Sequence, residues 1–507
     1  MNNNNKRIAK NTLLLYLRML FTMIVSLYTS RVVLNTLGVE DFGIYNVVGG
    51  VVAMFSFLSG SLGGASSRYI TYGLGVGNLK HLIKVFSNIV LIHFCLAIIV
   101  VLLAETIGLW FLYHKMQIPL SRISAAIWVY QYSVITLFIS IMSIPYNAII
   151  IGHERMSAFA YISILDVILK LVVAYILVIL PFDKLKIYGG LLCVIQVINQ
   201  LMYWRYCKIH FKESTFHFVW DKSLFQEIVI YAGWTMNGNL AVIGYVQGLN
   251  VLLNLFFSPI VNASRGIAVQ VQGVAQKFCN SFQMALNPQL TKSYAQGNLE
   301  YMHQLIVSSS KYSFFLVLFI SIPIMFEAKY ILNLWLGIVP DHTVNFVRLV
   351  LMTSILGALA NPIKTSIHAT GKIKRFQIIE GSLLLSIVPI AYLLLKYFQM
   401  KPESVFIVHL IIEIIAQTIR VYIVLPEIKM EYSNYVKNVI RPIMIVLLIS
   451  PVIPFITYHY LPESLLSFFI VCATCSASTI LAIYFAGCTT NERVVAIEKM
   501  KKIINRK

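Results

Sequence analysis

Charge is scarce in this chain. Of its 507 residues only 12% are Asp, Glu, Lys or Arg, about half the share usual in soluble domains. That excludes a soluble globular enzyme, and the shortage of polar residues excludes a disordered chain. Acids are scarcer than bases, 20 against 40. Cysteine is sparse too, with seven scattered residues. Only Cys472 and Cys475 form a CxxC pair. They lie in an apolar stretch without the second ligand pair a structural zinc site needs, so they read as small apolar helix residues. No GxxxxGK[ST] phosphate loop is present, which argues against ATP-driven work by this chain alone. Gly73, Gly75 and Gly77 follow a predicted helix rather than a strand, so a dinucleotide reading fails. His153-Glu154 lacks the metalloprotease spacing, and nothing resembles a hydrolytic triad. No catalytic residue, cofactor or metal is expected, and the chain is not expected to be an enzyme.

What is abundant is apolar. Hydrophobic residues make up 58% and the mean hydropathy is +0.78. The expected class is an all-α polytopic membrane protein. A bilayer core of about 30 Å takes about 20 helical residues per span. Fourteen candidate spans follow, at 12–37, 42–66, 83–106, 124–150, 158–180, 186–207, 229–256, 260–287, 305–327, 344–366, 377–398, 403–425, 440–460 and 465–487. The second and eighth are rich in Gly, Ser and Gln. The first apolar run, from about Leu13 to Leu37, is too long for a signal-peptide core and reads as a spanning helix. Trp110, Trp128, Trp204, Trp234 and Trp335 fall near predicted span ends, where amphipathic rings prefer to sit.

The formal net charge of +20 would suggest nucleic acid in a soluble protein. Here the positive-inside rule is the first reading, and a basic cavity for an anionic substrate the second. With the N-terminus in the cytoplasm, that side collects Lys6, Arg7, Lys10, Arg68, Arg155, Lys208, Lys292, Lys374 and the tail from Arg493 to Lys507. The outer loops hold few bases, such as Lys115, Arg122, Lys184, Lys329 and Lys401. Both termini are therefore expected inside.

The chain repeats itself at an offset of about 217–220 residues. Gly77-Asn78-Leu79 recurs as Gly297-Asn298-Leu299, Pro145 matches Pro362, Phe159 matches Phe376, and Gln200 matches Gln417. Six spans separate the copies, so both cross in the same direction and their pseudo-twofold axis follows the membrane normal. The predicted organisation is a six-helix lobe at 1–207, a cytoplasmic linker at 208–228, a second lobe at 229–427, and a helix pair with a basic tail at 428–507.

Polar residues inside spans are the informative ones, because lipid makes buried charge costly. On the eighth span Arg265, Gln272, Gln276, Asn280, Gln283 and Asn287 share a face about 80° wide, in a stripe running about 33 Å. Helix–helix hydrogen bonding and a hydrated pathway are the two readings, and the length of the stripe favours the pathway. The first span carries Arg18, Thr22, Ser26 and Thr29 on one face, with Arg31 on another. Snorkelling to an interface is the plainer reading for both arginines. Lys277 lies about 120° from Arg265 on the helix and near mid-depth. Asp166 and Lys170 are one turn apart, as a self-neutralised pair or as a switch sensitive to protons or cations. Glu380 and Glu413 are single acids of the eleventh and twelfth spans. Each can pair with a base such as Arg420 or Lys364, or titrate during transport.

Three segments resemble a known family. They are Arg31-Val-Val-Leu-Asn-Thr-Leu-Gly-Val-Glu-Asp-Phe-Gly-Ile-Tyr45, Asn287-Pro-Gln-Leu-Thr-Lys-Ser-Tyr-Ala-Gln-Gly297 and His368-Ala-Thr-Gly-Lys-Ile-Lys374. They are similar to the polysaccharide-export (O-antigen, or Wzx-type) flippases of the multidrug/oligosaccharidyl-lipid/polysaccharide (MOP) exporter superfamily. The resemblance extends through about Glu427. It implies two lobes around a cavity that opens alternately to each side of a bacterial inner membrane. It implies as substrate an undecaprenyl-pyrophosphate-linked oligosaccharide, moved to the periplasmic leaflet for O-antigen, lipopolysaccharide, capsule or exopolysaccharide synthesis. The implied partners are that polyprenyl pyrophosphate, membrane lipids, a polysaccharide polymerase and a chain-length regulator, without nucleic acid. Arg18, Arg265 and Lys277 become candidate anion contacts on the helical-face argument. A related branch exports drugs by cation antiport and often has an acid in its first span. Here the first acids are Glu40 and Asp41, beyond it. The lipid II flippase is a further relative.

Overall fold

A computed structural model describes residues 3–53, 56–116, 118–218, 220–257, 259–490 and 492–494. Predicted features of the basic tail from 495 onward lie outside the described residues. Among those described, all regular structure is helical. Large apolar side chains such as Ile24, Leu102, Ile179 and Leu448 stand exposed on helix faces, which water penalises and lipid does not. Among the described residues twelve helices are long and apolar enough, by length and composition, to cross a membrane. The expected count of fourteen is not reached by that measure. The two segments that fall short are the second and eighth. The eighth is helical, but its Gln, Asn, Arg and Lys content keeps it too polar, and the second includes residues outside those described.

The chain forms two compact units. Unit 1 comprises Met1–Asn239 and Thr291–Gly297. It contains α1 (Asn3–Ala53), α2 (Ser56–Val76), α3 (Leu79–Leu103), α4 (Leu109–Lys115), α5 (Ile123–Gly152), α6 (Met156–Ile179), α7 (Lys184–His210) and the first part of α8 (Lys222–Phe256). Helix α1 is broken at Gly38, whose φ of 80° a side chain would resist. A π-turn at Ala104–Gly108 joins α3 to α4, and the buried Tyr130 hydroxyl donates to the Ala104 carbonyl at 2.6 Å. Helix α1 packs mainly on α6, and α5 on α7.

Unit 2 comprises Leu240–Leu290 and Asn298–Lys507. It holds the rest of α8, most of α9 (Pro259–Ala295), then α10 (Leu299–Phe326), α11 (Ala328–Leu336), α12 (Thr343–Gly357), α13 (Ala360–Thr370), α14 (Lys374–Leu385), α15 (Ile387–Phe398) and α16 (Glu403–Glu427). It ends with α17 (Tyr432–Tyr435), α18 (Arg441–Ile449), α19 (Val452–Tyr460) and α20 (Leu465–Ala482). Its core gathers Leu253, Phe346, Leu351, Ile387 and Val405.

The division between units falls at Asn239/Leu240, inside α8, rather than in the predicted linker at 208–228. Local bonding gives the reason. Asn239 donates to Ser61 Oγ at 2.9 Å, the Tyr69 hydroxyl donates to Glu227 at 2.9 Å, and Tyr69 meets Tyr231 edge to face, all within unit 1. The C-terminal helices join unit 2, where buried Lys311 holds the Gly487 carbonyl at 3.3 Å and Glu492 at 3.0 Å.

The internal repeat has geometric counterparts. Gly77 and Gly297 both take positive φ, 78° and 70°. The Asn after each caps its helix, Asn78 accepting from His81 N and Asn298 from Tyr301 N, both at 3.1 Å. Gln200 Nε2 donates to the Met142 carbonyl and Gln417 Nε2 to the Leu359 carbonyl, both at 3.5 Å. Donors and acceptors alike lie 217 residues apart.

Candidate functional site

The polar stripe of α9 divides by environment. Arg265 is buried against α8, donating from Nη2 to the Val246 carbonyl at 3.0 Å and from Nη1 to Asn250 Oδ1. Gln272 Nε2 donates to Ser354 Oγ at 2.9 Å. Gln283 is buried, donating to Ser313 Oγ at 3.0 Å and the Ala358 carbonyl at 3.1 Å. Between these packed ends, Gln276 and Asn280 stand exposed. They open on a cavity of about 260 Å³ in unit 2, lined also by Ser354, Asn361 and Lys364. Lys277 is exposed beside them but is not a lining residue. No ion pair or hydrogen bond engages Lys277 among the described residues.

One lining residue leads to an ion cluster. Lys364 Nζ lies 2.8 Å from Glu380. Glu380 accepts from Arg420 Nε at 2.7 Å, and Glu413 from Arg420 Nη1 at 2.6 Å. Gln417 Oε1 accepts from the same guanidinium at 3.2 Å. Arg420 is 2% exposed. Two acids and two bases cancel, which is how ionised groups persist where solvation is poor.

Unit 1 places its polar residues differently. Arg18 Nη1 donates to Ser163 Oγ at 3.4 Å, and its guanidinium lies 4.8 Å from the centre of the Phe159 ring. Thr22 and Thr29 turn their hydroxyls back onto the carbonyls of Met19 and Val25. Ser26 and Arg31 are exposed, and Arg31 has no ion pair or hydrogen bond among the described residues. Asp166 accepts from Lys170 Nζ at 2.8 Å and from Asn199 Nδ2 at 2.7 Å, so the pair expected from spacing forms with an amide as third member.

Sequence reasoning missed three features. Asn361 is one amide among many and carries no spacing signal. Glu154 was read only for its place after His153. Yet it sits at φ 58° with its carboxylate buried, held by Arg7 at 2.8 Å and Lys292 at 2.9 Å. His153 stacks on Phe211 and bonds buried Glu213. Burial opposes the charge on Glu213, but the His153 and backbone hydrogen bonds prevail and hold its carboxyl below the usual range. Cys472 and Cys475 are free thiols on α20. No cluster of potential metal ligands occurs among the described residues.

These helices have solved counterparts. An outward-facing multidrug-resistance MATE family transporter of the MOP superfamily matches with a TM-score of 0.72 at 16% identity, over 84% of this chain and 96% of that one. A MATE crystal structure in the bent conformation matches with a TM-score of 0.74 at 15% identity, again over 84% and 96%. A MOP superfamily transporter from Pyrococcus furiosus Vc1 (DSM3638), described by the reverse polarity of its binding pocket, gives 0.70 at 16% identity with the same coverage. The protein is thus a multi-pass membrane protein with the fold of MOP-superfamily transporters. No curated protein matches. The family model described as "Polysaccharide biosynthesis protein" matches residues 8–294, more than half of the chain, and the protein belongs to that family.

Proposed function

We propose that this transporter is a flippase. It moves undecaprenyl-pyrophosphate-linked oligosaccharide repeat units from the cytoplasmic to the periplasmic leaflet of a bacterial inner membrane, by alternating access, with both termini cytoplasmic. Membership of the polysaccharide biosynthesis family is the observation that carries this reading. Two further features support it. The first span, Arg7–Gly38, holds no Asp or Glu. The spans also carry exposed, unengaged bases suited to a pyrophosphate, namely Arg31 and Lys277. Arg18 and Arg265 would contribute by leaving their present partners. An inside-negative potential favours export of negative charge by about 2.3 kcal/mol per charge per 100 mV across the full field.

A cation-coupled drug exporter is the alternative that the MATE fold matches accommodate equally well. Gene deletion separates the two. The flippase reading expects lipid-linked repeat units to accumulate on the cytoplasmic leaflet and surface glycan to fall, with rescue by the intact gene. Unchanged surface glycan together with raised drug sensitivity would overturn it.

A further inference from the structure

The unit 2 cavity offers its hydrogen bonds selectively. Gln276 and Asn280 reach it with no hydrogen bond to protein among the described residues. Asn361 lines the same wall, and its Oδ1 is buried without a partner. A buried acceptor left unpaired costs roughly 1–3 kcal/mol, so the cavity is suited to a ligand that donates to it. Lys277, the unengaged cation beside Gln276 and Asn280, is not among the lining residues, and the cation that does line the cavity is already engaged. Lys364 is the cation at the lining, and Glu380 holds its ammonium at 2.8 Å. Glu380 and Glu413 are in turn held by Arg420. The groups free to bind are therefore neutral amides, each both donor and acceptor, on a wall made partly apolar by Val317 and Ala360. This is the chemistry of a ring bearing vicinal hydroxyls, not of a phosphate. The volume of about 260 Å³ lies just below the range of about 300–1,000 Å³ for small-molecule sites, a size for one sugar residue rather than a whole glycan.

We infer that Gln276, Asn280 and Asn361 form a subsite in unit 2 for one neutral pyranose of the transported glycan, separate from any contact to its pyrophosphate. The inference rests on the flippase reading and adds the chemical class that this cavity selects.

The test uses full-length protein in nanodiscs and two probes. One is the lipid-linked fraction of the source cells. The other is the free oligosaccharide released from it by mild acid, without lipid or pyrophosphate. Binding of each is measured by equilibrium dialysis for wild type, Gln276→Leu, Asn280→Leu and Asn361→Leu. Gln276 and Asn280 have no protein partner to lose, so their variants should fold as wild type, and thermal melts verify this. The expected result is saturable binding of the free oligosaccharide, weakened at least tenfold in the Gln276 and Asn361 variants. Inorganic pyrophosphate should not compete. Free oligosaccharide binding unchanged in all three variants would overturn the subsite and leave the flippase reading standing. The same holds if only the lipid-linked form binds, or if pyrophosphate displaces the free oligosaccharide. Failure of both probes to bind wild type would overturn the flippase reading as well.

Discussion

The two units place different chemistry on the same frame. At an offset of 217, Ser163, Gln196 and Tyr203 of unit 1 correspond to Glu380, Glu413 and Arg420 of unit 2. The surrounding frame is shared, since Gln200 and Gln417 donate to equivalent carbonyls. Unit 2 fills the layer with an ion cluster. Unit 1 fills it with neutral groups and lets Arg18 reach in from α1 to Ser163. At the turn 154/371 the roles reverse. Gly371 takes φ 80° with no side chain, whereas Glu154 takes φ 58° and gathers Arg7 and Lys292. The repeat thus conserves backbone geometry and reassigns charge. Unit 2 is locked at mid-helix, and unit 1 is tied at its turn.

The largest expected effect tests the lock. Arg420→Met leaves buried Glu413 uncompensated and Glu380 with Lys364 alone, and should destabilise by about 3–5 kcal/mol, read as a lowered melting temperature in nanodiscs. Adding Glu380→Gln and Glu413→Gln should restore most of the loss. The corresponding Tyr203→Phe should cost no more than about 1.5 kcal/mol. Equal losses at 420 and 203 would break the comparison.

The turn gives the next effect. Glu154→Gln removes the carboxylate that Arg7 and Lys292 share and should cost about 2 kcal/mol. Glu154→Gly loses the same ion pairs but relieves the left-handed backbone, so it should be milder by about 1 kcal/mol. A glycine variant no milder than the glutamine variant would show that the turn stores no strain.

Glu213, beside the same turn, predicts a pH dependence. Its folded pKa lies below the ordinary value of 4.5. Its contribution is therefore complete above that value and fades as pH falls through the folded pKa. Melting curves of wild type and Glu213→Gln should differ near neutral pH and converge in acid. A gap that widens in acid would reverse the sign. The smallest effect sharpens the equivalence itself: Gln200→Ala forfeits a long backbone hydrogen bond, worth about 0.5–1.5 kcal/mol, and the bond from Ser143, while Gln417→Ala also takes an acceptor from Arg420 and should cost more.

Much of this was legible in the sequence. The repeat was visible because a positive-φ Gly followed by a capping Asn is a local requirement that both copies must meet. Pairing of Glu380 and Glu413 with Arg420 or Lys364 was one of two readings open in the sequence, because an unpaired charge in a span is costly and those were the bases at hand. Helix length and apolarity part company in α9, which is long but polar, so apolarity alone does not count it as a span. The unit boundary inside α8 was hidden because no composition change marks Asn239. The stripe of α9 read as one face. Its division into packed ends and an open centre depends on neighbours from α8, α10, α12 and the turn that follows α12, which periodicity along one helix cannot show.

The most direct measurement of the central claim reconstitutes the protein in liposomes with lipid-linked oligosaccharide from the source cells. An added glycosidase then reports how much glycan is exposed on the outer leaflet. The glycosidase should first digest only the outer-leaflet share. Glycan initially protected inside should then become accessible with time, faster than in protein-free liposomes. Protection that decays no faster than in protein-free liposomes, with protein shown to be folded and inserted, would contradict the assignment.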